Sequence, residues 1–214
     1  MKLFKVLLLI SLLLLLQTSK SNAQTGFTKS TNTSAIQAQL KKKMQSMQTM
    51  QCNFNQSKNL KILEEVIKSK GTVQYKKTNK LNISYTTPYT YEVRIQNDKM
   101  WIKDSKNKTT TINTKQNNTL QSFNQIMLDC MTGNIFNNTN FEANILENKT
   151  QYLITLVPKT NTFKKIYQSI SIYFQKTNMD IVSITMLETH GDNTEMIFSN
   201  IQYNITIQDD RFKI

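Results

Sequence analysis

The chain has 214 residues, with 27 Lys+Arg against 14 Asp+Glu, one histidine, two cysteines and four glycines. One histidine and two distant cysteines form no recognisable zinc set, and so few glycines exclude the usual phosphate-cradling loops. The formal charge of +13 calls either for an acidic partner or anionic surface, or for no more than a solvated lysine coat.

The N-terminus carries Lys2 and Lys5 ahead of an apolar run, Val6 to Leu16, broken only by Ser11, and then a small-x-small site at Ser21-Asn22-Ala23. This reads as a signal peptide over residues 1–23, cleaved near Ala23-Gln24. The run is too short for a membrane span, which takes about 20 residues. No cysteine stands where a lipoprotein would be acylated. The expected product is an exported domain, residues 24–214. Removing the leader takes away Lys2, Lys5 and Lys20 and no acid, so the charge falls from +13 to +10. Export and the scatter of the lysines argue against nucleic acid.

Beyond a polar arm, Ile36, Leu40, Met44, Met47 and Met50 share one helical stripe, with Thr33 or Ser34 as N-cap. Leu60 to Lys68 is mixed. From Gly71 the period changes to two: Val73 and Tyr75; Leu81, Ile83 and Tyr85; Tyr91, Val93 and Ile95; Met100 to Ile102; then Thr109 to Ile112. Pro88 and Asn97-Asp98 mark turns. Helical spacing returns at Leu120, Phe123, Met127, Leu128 and Met131 and stops at Gly133. Strands follow at Tyr152–Val157, Ile166–Phe174, Ile181–Leu187, Glu195–Ser199 and Ile201–Ile207. No helix separates successive strands, so the fold class is α+β: an antiparallel sheet, wet on one face, with helices on the other. Two helices over a large curved sheet readily leave apolar space between the layers.

Catalytic signals are sparse. His190 lies in a turn, "LETHGDNTEM", beside Glu188, Gly191 and Asp192, where histidines are usually solvent-exposed; it is the best foothold for a hydrolase working through carboxylates. Cys52 and Cys130 permit a disulfide in an oxidising compartment, and equally two buried small apolar residues. Met44, Met47, Met50, Met127 and Met131 either fill a core or form an adaptable apolar binding surface.

Three blocks resemble a known family: "FNQSKNLKILEEVIKSKGTVQYKKTNKLNISYTTPYTYEVRIQNDKMWIKD", "LQSFNQIMLDCMTGNI", and "YLITLVPK" through "GDNTEMIFSNIQYNITIQDDRF". In order and spacing they are similar to the bacterial outer-membrane lipoprotein carriers (LolA-like), especially Bacteroidota-type members. The resemblance implies an incomplete, strongly curved antiparallel β-barrel whose concave apolar face is closed by helices. It also implies a monomeric periplasmic carrier without catalysis or cofactors. Such a carrier takes acylated lipoproteins from an inner-membrane release complex to an outer-membrane acceptor. The cavity and lid residues it points to here are Val73, Tyr75, Leu81, Ile83, Tyr85, Val93, Ile95, Met100, Ile102, Met127 and Met131. Where enterobacterial carriers have a lid-latching arginine, this chain has Lys77, which lacks the planar donor fork. Another apolar ligand, a pigment or glycolipid, suits the same fold.

Trp101, the single tryptophan, lies between Met100 and Ile102. If those two line the cavity, period two puts Trp101 on the convex side or the rim.

Overall fold

The structure, a computed structural model, describes residues 26–77, 79–116 and 118–213; the leader expected at residues 1–23 lies outside them. The elements in chain order are β1 (Thr28–Lys29), α1 (Thr33–Ser46), β2 (Thr49–Leu60), β3 (Glu65–Lys76), β4 (Lys80–Thr87), β5 (Tyr91–Gln96), β6 (Lys99–Lys103) and β7 (Thr109–Asn113). After these come α2 (Asn118–Thr132), β8 (Phe141–Glu147), β9 (Gln151–Pro158), the single turn α3 (Asn161–Lys164), β10 (Tyr167–Gln175), β11 (Ile181–Glu188) and β12 (Asn193–Tyr203).

All strands join one antiparallel sheet of twelve, in the order β1-β8-β9-β10-β11-β12-β2-β3-β4-β5-β6-β7. It curves into an incomplete barrel. The two ends, β1 and β7, do not meet. Chain neighbours pair as hairpins except at two places: β1 pairs with β8, and the N-terminal β2 inserts beside β12, with Phe54 opposite Phe198. That pairing welds the first and last long strands and makes β2 the centre of the sheet.

The alternation read from the sequence for β3 to β7 is present: Val73 faces Ile83, Ile83 faces Val93, and Val93 faces Ile102 across successive ladders. On the far half Ile172 stands between Ile154 and Ile184. These side chains share one face and form one core cluster. The opposite, convex face is mostly polar. There the C-terminal segment crosses β3 to β5: Asn82 donates to the Arg211 carbonyl (2.9 Å) and Arg94 to that of Lys213 (2.7 Å). Phe212, 2 % exposed, is buried beneath.

Four boundaries differ from the sequence reading. The first helix ends at Ser46, so Met47 is its C-cap and Met50 belongs to β2. Its N-cap is Asn32 rather than Thr33 or Ser34, with no side-chain capping bond. The mixed stretch Leu60 to Lys68 is the end of a long β2–β3 hairpin. The strands expected at Glu195–Ser199 and Ile201–Ile207 join into one, β12, which stops at Tyr203 short of Ile207 and is bent by an irregularity between Ser199 and Gln202, with Asn200 at φ 52°.

Gly71 fixes the close approach of β4 and Phe54 to β3. A Cβ there would stand 2.0 Å from the Ser84 carbonyl oxygen and 2.8 Å from the Phe54 ring. Gly71→Ala therefore lowers stability by about 3 kcal/mol through overpacking, read as an earlier urea midpoint at unchanged slope. A loss within error would refute the tight packing.

Candidate binding face and its helical lid

On the concave face, Val73, Tyr75, Leu81, Ile83, Tyr85, Ile95 and Met100 are buried, and Val93 and Ile102 are half-buried against the same cluster. Met127 and Met131 reach it from α2, together with Ile126 and Cys130. The named cavity and lid residues are thus brought together. The helix bearing them is closed by Gly133 in the left-handed region, φ 72°. Gly133 also lets α1 approach, since a Cβ would meet Met44 Cβ at 3.2 Å and Lys41 Cα at 3.3 Å. The side chains of Leu120 and Phe123 lie outside the described residues.

One wall is aromatic. Tyr85 stacks on Tyr91 with centroids 4.1 Å apart and receives the edge of Phe54 at 4.9 Å. Its hydroxyl donates to Gln56 Oε1 (3.1 Å). Burial, with Tyr91 adding, raises the Tyr85 phenol above its ordinary range.

Among the described residues, part of the space expected between sheet and helices is closely filled. Met44, Met47, Met50, Cys130, Met131, Phe174, Ile181 and Tyr203 close around a void of about 10 Å³, room for one water at most. Unbranched thioethers pack where a stiffer side chain would leave a gap. This is a closed lid over an apolar face.

The lid is fastened at α1. Lys43 Nζ bonds Asp180 Oδ1 in the β10–β11 turn (2.7 Å) and lies 4.1 Å from the centre of the Tyr203 ring, and the Tyr203 hydroxyl donates to the same Asp180 oxygen (2.8 Å). Burial first, then Asp180, raises the Tyr203 phenol. Lys77 is not part of this group: it is exposed, on the β3–β4 turn, and donates to the Gln45 carbonyl at the end of α1 (3.1 Å) rather than to α2. Sequence reasoning missed Lys43, Asp180 and Tyr203. They stand far apart in the chain, and no local pattern joins them.

Cys52 and Cys130 are free buried thiols. Burial pushes Cys52 up to about 12 and raises Cys130, with the Asp129 carboxylate adding to the effect. Both stay protonated and unreactive at neutral pH. His190, by contrast, is surface-exposed, with Nε2 3.2 Å from Glu188 Oε2 and 3.6 Å from Asp192 Oδ2. Trp101 sits on the convex side. It is opposite Arg94 in the ladder, and the Arg94 guanidinium lies 4.5 Å from its ring centre.

The profile of the family described as outer membrane lipoprotein carrier protein LolA matches residues 45–214. A search of curated proteins returned no match. Among solved structures, the fold is similar to an uncharacterized conserved protein from Thermus thermophilus, with TM-score 0.50 and 8% identity over 84% of this chain and 91% of that one. A LolA superfamily protein from Nitrosomonas europaea aligns with TM-score 0.45 and 9% identity, over 85% and 97% of the two chains. Lipoprotein LppX from Mycobacterium tuberculosis aligns with TM-score 0.44 and 11% identity, over 82% and 99%.

Asp180→Asn removes the charge that holds Lys43 while keeping the shape. It weakens the fastening by about 1 kcal/mol, so thiol labelling of Cys130 in the folded protein accelerates about five-fold. An unchanged rate would mean that Asp180 does not hold the lid.

Proposed function

The chain belongs to the LolA family of outer membrane lipoprotein carrier proteins, and on that premise we propose that it is a periplasmic carrier. It shelters the acyl chains of lipoproteins against its concave face and ferries them from the inner to the outer membrane. The observation that carries this reading is the pairing of a continuous apolar sheet face with a cover of two helices. Among the described residues the cover contributes Ile36, Leu40 and Met44 from α1 and Ile126, Met127, Cys130 and Met131 from α2, and α1 is fastened by one partly exposed ion pair.

Sheltering follows from transfer energetics. Each methylene withdrawn from water is worth about 0.8 kcal/mol, so a multiply acylated protein does not cross water unaided. The closed void holds no chain, so loading requires α1 and α2 to move off the face. Acyl contacts then replace the apolar contacts that the lid gives up. Val73, Leu81, Ile83, Tyr85, Val93, Ile95, Met100 and Ile102 become the wall, and Met127 and Met131 the moving side. The reading assigns no catalytic residue, and its partners are acylated lipoproteins, an inner-membrane release complex and an outer-membrane acceptor.

The test is gentle extraction from the cell envelope and mass spectrometry of what accompanies the protein. Acylated lipoproteins are expected, and a charge placed in the wall by Ile83→Asp abolishes their recovery. Protein free of any acylated species in such extracts would sink the proposal, and a pigment or glycolipid in their place would redirect it to another cargo. A second check uses Trp101: on the convex side its emission stays unshifted when a long-chain acyl ligand binds, and a large blue shift would place the ligand elsewhere.

A further inference from the structure

The β2–β3 hairpin runs past its neighbour on one side. The β3–β4 ladder stops at Lys70 opposite Thr87, after which the chain turns at Pro88. Among the described residues, 65–69 of β3 therefore have a strand partner on the β2 side and none on the other. The open stretch carries exposed apolar side chains, Val66 at 51 % and Ile67 at 36 %, and the turn that leads into it adds Ile62 at 79 % and Leu63 at 67 %. Tyr89, in the adjacent β4–β5 turn, is 72 % exposed. An unpaired, apolar strand edge is a template for another strand.

The charges indicate which strand. Glu64 and Glu65 stand at one end of Val66-Ile67, Lys68 and Lys70 at the other. An edge of one sign would call for a partner of the opposite sign. An edge that changes sign from end to end is matched by itself reversed. We propose that this edge pairs with the same edge of a second copy, antiparallel about a two-fold axis, to form a homodimer.

Main-chain direction fixes the register. Thr86 Oγ1 donates to the Lys70 carbonyl (3.3 Å), so the main-chain groups of Lys70 point to the β4 side. Those groups alternate along a strand, and the β2–β3 register is unbroken from Glu65 to Lys76. Val66 and Lys68 therefore aim their N–H and C=O groups outward. A two-fold at Ile67 lets Val66 of one copy exchange both bonds with Lys68 of the other, and the reverse by symmetry. It sets the Ile67 side chains face to face and the acidic end of each edge beside the basic end of its partner. So short a pairing lies at the weak end of protein association, which makes the dimer concentration-dependent.

The test is light scattering on the purified protein from micromolar to near-millimolar concentration, with dimer expected at the upper end. Val66→Pro removes an outward N–H that the β2 ladder does not use, and shifts the transition about ten-fold or more to higher concentration. Independently, Ile67→Cys forms a reducible dimer under mild oxidation faster than Lys108→Cys on the exposed β6–β7 turn; the native thiols are buried and stay silent. A chain that remains monomeric throughout, or equal oxidation of the two cysteine variants, overturns the dimer. Vesicle binding that depends on Val66 and Ile67 in a monomeric chain also overturns it, assigning the edge to a lipid surface.

Discussion

An antiparallel sheet that curves but does not close must cover its hollow side. Here that side carries Val73, Leu81, Ile83, Ile95, Ile154 and Ile172, each no more than 2 % exposed, and α1 and α2 are the long helices that cover it. Were the barrel closed, the same side chains would fill its interior permanently. Left open between β1 and β7, the sheet depends on a cover that is a separate layer, joined to it by side-chain contacts and short connections. Curvature, hollow and separate lid are consequences of one unclosed sheet.

The chemistry of the cover suits reversible contact. The sheet side is dominated by branched and aromatic residues whose positions are set by backbone ladders. The lid side is rich in Met44, Met47, Met127 and Met131, whose flexible thioethers adapt to a changed partner at little strain. At the rim, Lys43, Asp180 and Tyr203 add an electrostatic catch that water reaches: the Lys43 and Asp180 side chains are each 25% exposed, so its strength is modest and screened by salt. Under the carrier reading, a cargo of many methylenes at about 0.8 kcal/mol each outweighs such a catch easily. The rigid ladder, by contrast, keeps its shape throughout.

Much of this was legible in the sequence for a physical reason. Strands with one wet face alternate, so β3 to β7 and β9 to β11 declare themselves, and Gly133 marks the end of α2 by conformation and by closeness. The missed parts each hide that signal. In β2, Met50 continues a helical spacing begun at Ile36, and the outer half, Asn55 to Leu60, carries little apolar pattern. In β8 the middle inward residue is Ala143, too small to stand out between Phe141 and Ile145. In β12 a local irregularity at Asn200 imitates a turn. The apolar wall residues were found because they are local and periodic. The catch was not, because Lys43 and Asp180 are 137 positions apart. The tight fit around Met44, Met50 and Met131 is a packing outcome, which no pattern of residue types encodes.

The convex-side crossing of the C-terminal segment has a different kind of consequence. Several of its fastenings run from sheet side chains to the segment's main chain: Thr49 to the Ile205 carbonyl, Lys76 to Ile207, Asn82 to Arg211 and Arg94 to Lys213. A carbonyl is the same whichever residue bears it. Apart from buried Ile207 and Phe212 and the side chains of Asn204, Asp209 and Arg211, which make bonds of their own, the segment's letters are thus free to drift over generations while its path stays put, and part of the selective burden falls on the four side chains of the sheet that hold it.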